Sequence, residues 1–182
     1  MTQKRTKETI TLGSGKLYIL EHAGTIPETE ALEIPGNLLG YIKGGASLAY
    51  TPTFYDAIDD LGIVQKTIIT DEEAILTSGV MTWNAETLNQ LAATGRVTEA
   101  SGKRTLKIGG LANQSGKKYI LRFVHSDPVD GDVRITIVGQ NRTGFTLQFA
   151  KDEETVIDAE FKASPSLDEE GTLMIFEEEI NE

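Results

Sequence analysis

The chain has 182 residues and 39% of them are hydrophobic, so it can bury a sizeable core and is expected to form one domain. It has no cysteine, which excludes disulfides, thiolate zinc sites and a thiol nucleophile. Its formal net charge of −11 argues against binding nucleic acid by counterion release. The charged start lacks an apolar run, so neither a signal peptide nor a membrane span is predicted.

Residues 1–40 show little periodicity apart from the apolar run at 17–20, and they contain two prolines and several glycines. Such a composition is typical of ordered loops and extensions. We therefore expect an N-terminal arm over residues 1–40 that packs on another surface.

The next segment reads as a long hairpin. Strand-like runs over residues 42–55 and 64–78 flank an acidic turn that ends in a glycine, at residues 56–62. We expect residues 51–66 to project as a hairpin loop, with Asp56, Asp59, Asp60 and Gly62 at its end.

One helix is predicted, over residues 84–94. Asn84 is a favourable N-cap, Leu88 and Leu91 fall on one face, and Gly95 can end the helix. Trp83 directly precedes the cap and is expected to anchor the helix on the core.

The second half of the chain alternates apolar and polar residues with period two, and turn residues separate the runs. The fold class predicted is mainly β, an antiparallel β-sandwich with one flanking α-helix in residues 41–163, followed by a C-terminal strand and acidic tail at 164–182. The strands expected in this half lie near residues 103–109, 117–125, 132–139, 144–150, 155–163 and 171–177.

No pattern indicates catalysis, a cofactor or a metal. His22 and His125 have no acidic pair at ligand spacing nearby. Residues 110–118 are close to a phosphate loop but hold one residue too many and lie between two strands. The aspartates at 127–132 miss the spacing of a calcium loop. We therefore expect a non-enzymatic protein without a cofactor.

Charge is distributed unevenly. Residues 103–122 hold six basic residues and no acid, whereas residues 168–182 hold many acids and no base. One interpretation is head-to-tail contact between copies, with Lys117 and Lys118 of one subunit facing Glu177 and Glu178 of another. The other interpretation is two solvated faces.

The whole pattern resembles the major tail tube protein of tailed bacteriophages that infect Gram-positive bacteria. The resemblance covers most of the chain and contains no short catalytic signature. It is carried by the run GYIKGGASLAY at 40–50, TPTFYD at 51–56, residues 66–84 ending in MTWN, and residues 104–110, 117–132 and 144–163.

The resemblance implies a virion protein, assembled in the host cytoplasm, that forms stacked hexameric rings. The rings make the tail tube through which the genome is ejected, so that DNA passes without specific binding. Tape-measure and tail terminator proteins are the implied partners, and the hairpin loop and both arms would carry ring-to-ring contacts. A flexible tail, a contractile tail and a phage-derived particle without DNA all remain open.

An acidic channel would let DNA slide. A ring of six carries 6 × (−11) = −66 formal charges, which repel phosphate. Asp71 and Glu73 lie two residues apart and share one face of a strand, so we expect them to line the lumen. The alternative for these two acids is an outer, solvated bend.

Two rival classes share the sandwich. An immunoglobulin-like capsid-decoration or adhesion module would not polymerise. A carbohydrate-binding or hydrolytic sandwich would need clustered aromatics or convergent carboxylates, and the chain has 7% aromatic residues and no such cluster.

Overall fold

The fold is mainly β, as the sequence predicts. A computed structural model describes residues 14–63 and 65–180, and these contain ten strands, two α-helices and two short 3-10 turns. The elements are β1 (Lys16–Glu21), α1 (Thr29–Leu32), a 3-10 turn (Pro35–Asn37), β2 (Leu38–Gly40), β3 (Ile42–Ile58), β4 (Gln65–Val80), α2 (Ala85–Leu91), β5 (Arg96–Ala100), β6 (Lys103–Lys107), a 3-10 turn (Leu111–Asn113), β7 (Tyr119–His125), β8 (Val133–Asn141), β9 (Ile157–Ala163) and β10 (Met174–Glu178).

One antiparallel sheet holds eight of the strands found in the described residues, in the order β2-β1-β7-β8-β9-β4-β3, with β10 also on β8. Strand β8 changes partner along its length. Its first part pairs with β10 up to Ile137, and its last part pairs with β9 from Gly139. A strand shared in this way turns the corner between the two halves of a sandwich.

Gly139 allows the change of partner on β8. A Cβ atom at this position would lie 2.3 Å from the carbonyl oxygen of Lys162 on β9. A glycine inside a strand often marks such a close approach of two backbones. The corner of the sandwich therefore requires a residue without a side chain at position 139.

The core lies between the inner faces of the sheet halves and is closed by α2. Phe161 and Leu76 are fully buried on β9 and β4, and Leu88 and Leu91 bring the helix to the same cluster. Side chains of this size stabilise the fold by about 1.5–3 kcal/mol each when fully buried. The remaining buried members of the cluster are Leu17, Ile19, Leu39, Val80, Leu121, Phe123, Ile137, Ile157 and Ala159.

Helix α2 begins as predicted and ends early. The Asn84 side chain accepts hydrogen bonds from the backbone N–H groups of Glu86 (2.8 Å) and Thr87 (3.1 Å), and the Thr87 hydroxyl accepts from the Asn84 N–H. The prediction of helix up to residue 94 is wrong, because the helix ends at Leu91 and Ala92 is already extended. Trp83 packs against the core, half-buried.

The prediction of an N-terminal arm is wrong for residues 16–21 and 38–40, which are strands β1 and β2 of the sheet. Strand β1 lies inside the sheet between β2 and β7, and its Leu17 and Ile19 are 0% and 2% exposed. The apolar run at 17–20 is too short to show a period, so only the sheet partners reveal it as a strand. Residues 1–13 lie outside the described residues, so the arm expected there is not addressed.

One further prediction is wrong, and one strand was not predicted. Residues 144–150 form no strand, although Phe145 and Leu147 do pack against the core. The amide of Asn141 donates to the Gly144 carbonyl (2.7 Å) and turns the chain there. Strand β5 is not predicted from the sequence because Val97 is the one large apolar residue in it.

Candidate subunit interface

The longest feature of the structure is the hairpin of β3 and β4, which pairs from Ile42 with Val80 out to Ile58 with Gln65. Both strands are longer than the predicted 42–55 and 64–78. Their bases belong to the sandwich, where Ala74 is fully buried. Beyond Thr53 on β3 and before Glu73 on β4 every described side chain is exposed, so the outer half is a two-stranded ribbon in solvent.

The ribbon carries large apolar side chains on both faces. Phe54 pairs with Ile69 on one face and Tyr55 pairs with Ile68 on the other, with exposed fractions between 45% and 58%. An isolated two-stranded ribbon is marginally stable in water, and contiguous exposed apolar surface indicates an interaction site. The ribbon is therefore a candidate interaction surface.

The predicted loop residues lie near the end of this ribbon. Asp56 is in strand β3 and not in the turn, and its carboxylate accepts a hydrogen bond from the Thr67 hydroxyl on the opposite strand. Asp59, Asp60 and Gly62 lie in the turn, where Gly62 has a φ of +68° that favours glycine. The turn, predicted to begin at residue 56, therefore begins three residues later.

Asp71 and Glu73 share one face of β4, as predicted from their spacing, and Glu72 lies on the other face. Glu73 is 2.5 Å from the ammonium of Lys162 on β9. Glu72 accepts a hydrogen bond from the Tyr50 hydroxyl, and this bond raises the pKa of Tyr50.

The face that holds Asp71 and Glu73 is mainly acidic. On the neighbouring strand β9, Ile157, Ala159 and Phe161 turn inward, so the alternating residues face outward with the two acids of β4. The outward residues of β9 are Asp158, Glu160 and Lys162. The outer faces of β4 and β9 therefore present four acids and one base, and β3 adds a second base, Lys43, opposite Gly79.

Lys117 and Lys118 bind partners in their own subunit. The Lys117 ammonium lies 2.7 Å from a carboxylate oxygen of Glu21, and their hydrogen bond raises the pKa of Lys117. The Lys118 ammonium donates to the Ser166 hydroxyl (2.7 Å). Both lysines precede β7, at the end of the sheet where Tyr119 pairs with Gly139.

Glu177 and Glu178 lie on β10 at the other end of β8, opposite Arg134 and Val133. Glu177 is 3.3 Å from the guanidinium of Arg122. The structure therefore does not bring these glutamates to Lys117 and Lys118 within one subunit. Contact between two subunits stays a prediction.

A partly buried ion-pair network holds α1 and β10 on the sheet. Glu33, just after α1, accepts from Arg134 (2.9 Å) and Arg122 (3.4 Å), and the three side chains are only 15%, 18% and 6% exposed. Burial opposes the charged form of Arg134, but the hydrogen bond that it donates to Glu33 and the nearby acids outweigh this effect and raise the pKa of Arg134. Asp132 and Glu179 complete the network around Arg134.

Sequence reasoning missed this network. Arg122 falls within the basic region of the sequence, and Glu33 stands in a stretch expected to be an arm. The available signal was Arg122 itself, since a charge on an otherwise apolar strand needs a buried partner.

Two of the side chains considered from the sequence, His125 and Asp127, make contacts within the subunit. No group of three or more metal-binding side chains occurs in residues 14–63 and 65–180. His125 is buried, and its Nδ1 lies 2.8 Å from the Ser14 carbonyl oxygen. The Asp127 carboxylate accepts from the N–H groups of Val129 and Asp130, which makes a local turn. In the same ranges, neither α-helix has the length and apolar character of a membrane span.

Comparison of the sequence with protein-family models and with curated proteins finds no match. A function for the chain is therefore inferred from the geometry of the hairpin, the acidic face and the charged network.

Proposed function

We propose that the chain is a structural, non-catalytic subunit that polymerises with its own copies into a tube, as the resemblance to tail tube proteins implies. In this proposal six subunits form a ring, rings stack, and the tube is the conduit for genome ejection in a phage tail. Tape-measure and tail terminator proteins would be its further partners, and DNA would pass without specific binding.

The observation that carries the proposal is the projecting ribbon of β3 and β4. Phe54 and Tyr55 expose large aromatic surfaces on opposite faces of the ribbon. A partner bound to one face would therefore leave the other face exposed to solvent. Surface on both faces suits insertion between neighbouring subunits in a repeating assembly. A decoration or adhesion module that bound a single partner on one side would leave the other apolar face exposed.

Two features support the channel. The outer edge of β3 pairs with no strand in the described residues, and edges of this kind are hidden when a sheet continues from subunit to subunit. The acidic outer face of β4 and β9, with Asp71 and Glu73, would repel the phosphates of passing DNA.

Electron microscopy of the purified protein tests assembly. Wild type should form rings or tubes, whereas a variant with residues 55–68 replaced by Asn-Gly should stay monomeric. Phe54 and Ile69 are direct partners, so a two-residue turn can close the shortened hairpin and leave the sandwich folded. The Asn-Gly variant should unfold at nearly the same temperature as wild-type protein kept monomeric at low concentration, which would show that the sandwich is intact.

A second variant separates hairpin length from hairpin chemistry. Replacing Phe54, Tyr55, Ile68 and Ile69 by threonine keeps the strands but removes the apolar cover, and it should also abolish tubes. Val129→Thr, at a 60% exposed site elsewhere, is the matched control and should assemble normally. Tubes from the Asn-Gly variant, or a wild type that stays monomeric at all concentrations, would contradict the proposal.

The channel is tested separately. Asp71→Lys with Glu73→Lys changes each ring by 6 × 4 = +24 charges. Tubes should form while genome ejection slows, because the wall now attracts phosphate. Ejection at the wild-type rate from intact variant tails would show that these residues do not line the channel.

A further inference from the structure

The small sheet of β5 and β6 has one cationic face. Arg96 pairs with Lys107 and Ala100 pairs with Lys103, and paired residues share a face of an antiparallel sheet. Thr98 and Thr105 complete this face. All six side chains are exposed.

The opposite face is turned to the protein. Leu106 packs against the core, and Arg104 makes ion pairs with Glu99 (2.5 Å) and Glu86 of α2 (3.9 Å). Within residues 14–63 and 65–180 no acid makes an ion pair with Arg96, Lys103 or Lys107. Like charges directly opposite each other destabilise a strand pair, so Arg96 and Lys107 favour the approach of an anionic partner.

Apolar surface adjoins these cations. The loop that comes after Lys107 exposes Ile108 (52%) and Leu111 (94%). The loop is held at the base of β5, because the N–H of Gly109 donates to the Thr94 hydroxyl (3.0 Å). Residues 96, 103, 107, 108 and 111 together form the basic apolar surface.

We propose that the basic apolar surface receives the end of the β3–β4 hairpin, residues 54–63 and 65–69, from a second copy of the chain. This rests on the proposed function, since it names the partner surface of the hairpin. The contact joins two different patches, so each copy can donate a hairpin and accept one, and the chain of contacts continues from copy to copy.

The hairpin end matches the basic apolar surface in charge and in apolar character. Asp56, Asp59 and Asp60 against Lys66 give it a net charge of −3 + 1 = −2. At its turn Leu61 and Ile63 are 79% and 77% exposed. Opposite charges would orient the approach while the apolar side chains supply buried area.

Other acids of the chain fit this role less well. Glu177 and Glu179 contact Arg122 and Arg134 of their own subunit, and Glu73 contacts Lys162. The hairpin end differs in degree, because Leu61 and Ile63 at its turn are 79% and 77% exposed, against 56% for Phe176 and 61% for Ile180 beside the glutamates of β10.

Charge exchange tests the contact. Lys103→Glu with Lys107→Glu should raise the concentration needed for assembly by about tenfold, and so should Asp56→Arg with Asp60→Arg. All four changes in one chain should restore assembly to within about threefold of wild type, because attraction is regained with signs reversed. Arg142→Glu with Lys151→Glu, two exposed cations elsewhere, is the matched control for net charge and should assemble as wild type does.

Disulfide cross-linking tests whether the hairpin end and the basic apolar surface lie close together. Because the sequence has no cysteine, only the introduced cysteines can form disulfides. Leu61→Cys with Leu111→Cys in one chain should give a ladder of disulfide-linked oligomers in assembled protein. So should Ile63→Cys with Ile108→Cys. Each single cysteine variant should stay without a ladder.

The outcomes separate the two proposals. A wild type that never assembles overturns the proposed function. Normal assembly of both charge variants, or no ladder from either cysteine pair in assembled protein, overturns the docking contact alone. Efficient dimers from Leu61→Cys by itself would show that hairpin ends meet each other, which also overturns it.

Discussion

Removing the charge of Glu33 should destabilise the fold more than removing a surface carboxylate. Glu33→Gln keeps the shape of the side chain and one acceptor oxygen but leaves the guanidinium groups of Arg122 and Arg134 without their shared anion. The Arg122 side chain is only 6% exposed, so water cannot replace the lost partner.

The size of the effect depends on the partners that remain. Breaking a buried ion pair costs about 3–5 kcal/mol when a charge is stranded. Arg122 keeps Glu177 (3.3 Å), Thr136 (2.9 Å) and Thr29 (3.0 Å). Arg134 keeps Asp132 (3.1 Å) and Glu179 (3.4 Å), so neither charge is stranded completely. We expect a loss of about 2 kcal/mol, in the range measured for hydrogen bonds to charged groups.

Urea denaturation of the monomer measures this loss, with the slope against urea checked for constancy. Glu21→Gln is the control, because it breaks the exposed pair with Lys117 and should cost about 0–1 kcal/mol. In about 1 M salt the control effect should vanish while that of Glu33→Gln persists, since buried pairs are little screened. A Glu33→Gln variant as stable as Glu21→Gln would refute the reasoning.

Three further predictions concern the corner, the helix and a loop. Gly139→Ala should cost about 1–3 kcal/mol in urea unfolding, because its Cβ would press on the Lys162 carbonyl; an unchanged midpoint would contradict this. Asn84→Ala should lose about 1 kcal/mol with its cap, and a loss below the error of measurement would show that the cap contributes nothing. Hydrogen bonds from the Thr172 side chain, then from its N–H, lower the pKa of Asp168, so this carboxylate stabilises the fold above its unfolded pKa of about 3.9 and the contribution is lost as pH falls through the folded pKa. By NMR titration Thr172→Val should raise that pKa, and the same titration curve in both proteins would count against the bond.

Periodicity and turn chemistry were sufficient for the fold class and for the hairpin. Alternation places Ile157, Ala159 and Phe161 on one face, and the structure buries all three. Asn84 was identified as an N-cap because its side chain acts on neighbouring residues. Signals of this kind are local and can be read from the sequence.

Features that depend on residues far apart in the chain could not be predicted from the sequence. Strand β1 is defined by pairing with β7, about a hundred residues away, as in Leu17 with Phe123. Glu33 becomes important only when the fold brings it to Arg122 and Arg134. The cations of β5 and β6 share a face because the two strands pair, and the composition of β5 did not indicate a strand.

The position of β10 also affects how the chain folds during synthesis. Residues 174–178 pair with β8, and Glu177 and Glu179 supply acids to Arg122 and Arg134, yet these residues leave the ribosome after every other strand of the sheet. Until they emerge, two arginines lack part of their neutralising charge and one side of β8 is unpaired near Ile137. Completion of the sheet is therefore coupled to translation of this segment, so a stable subunit cannot form until residues 174–178 have been made.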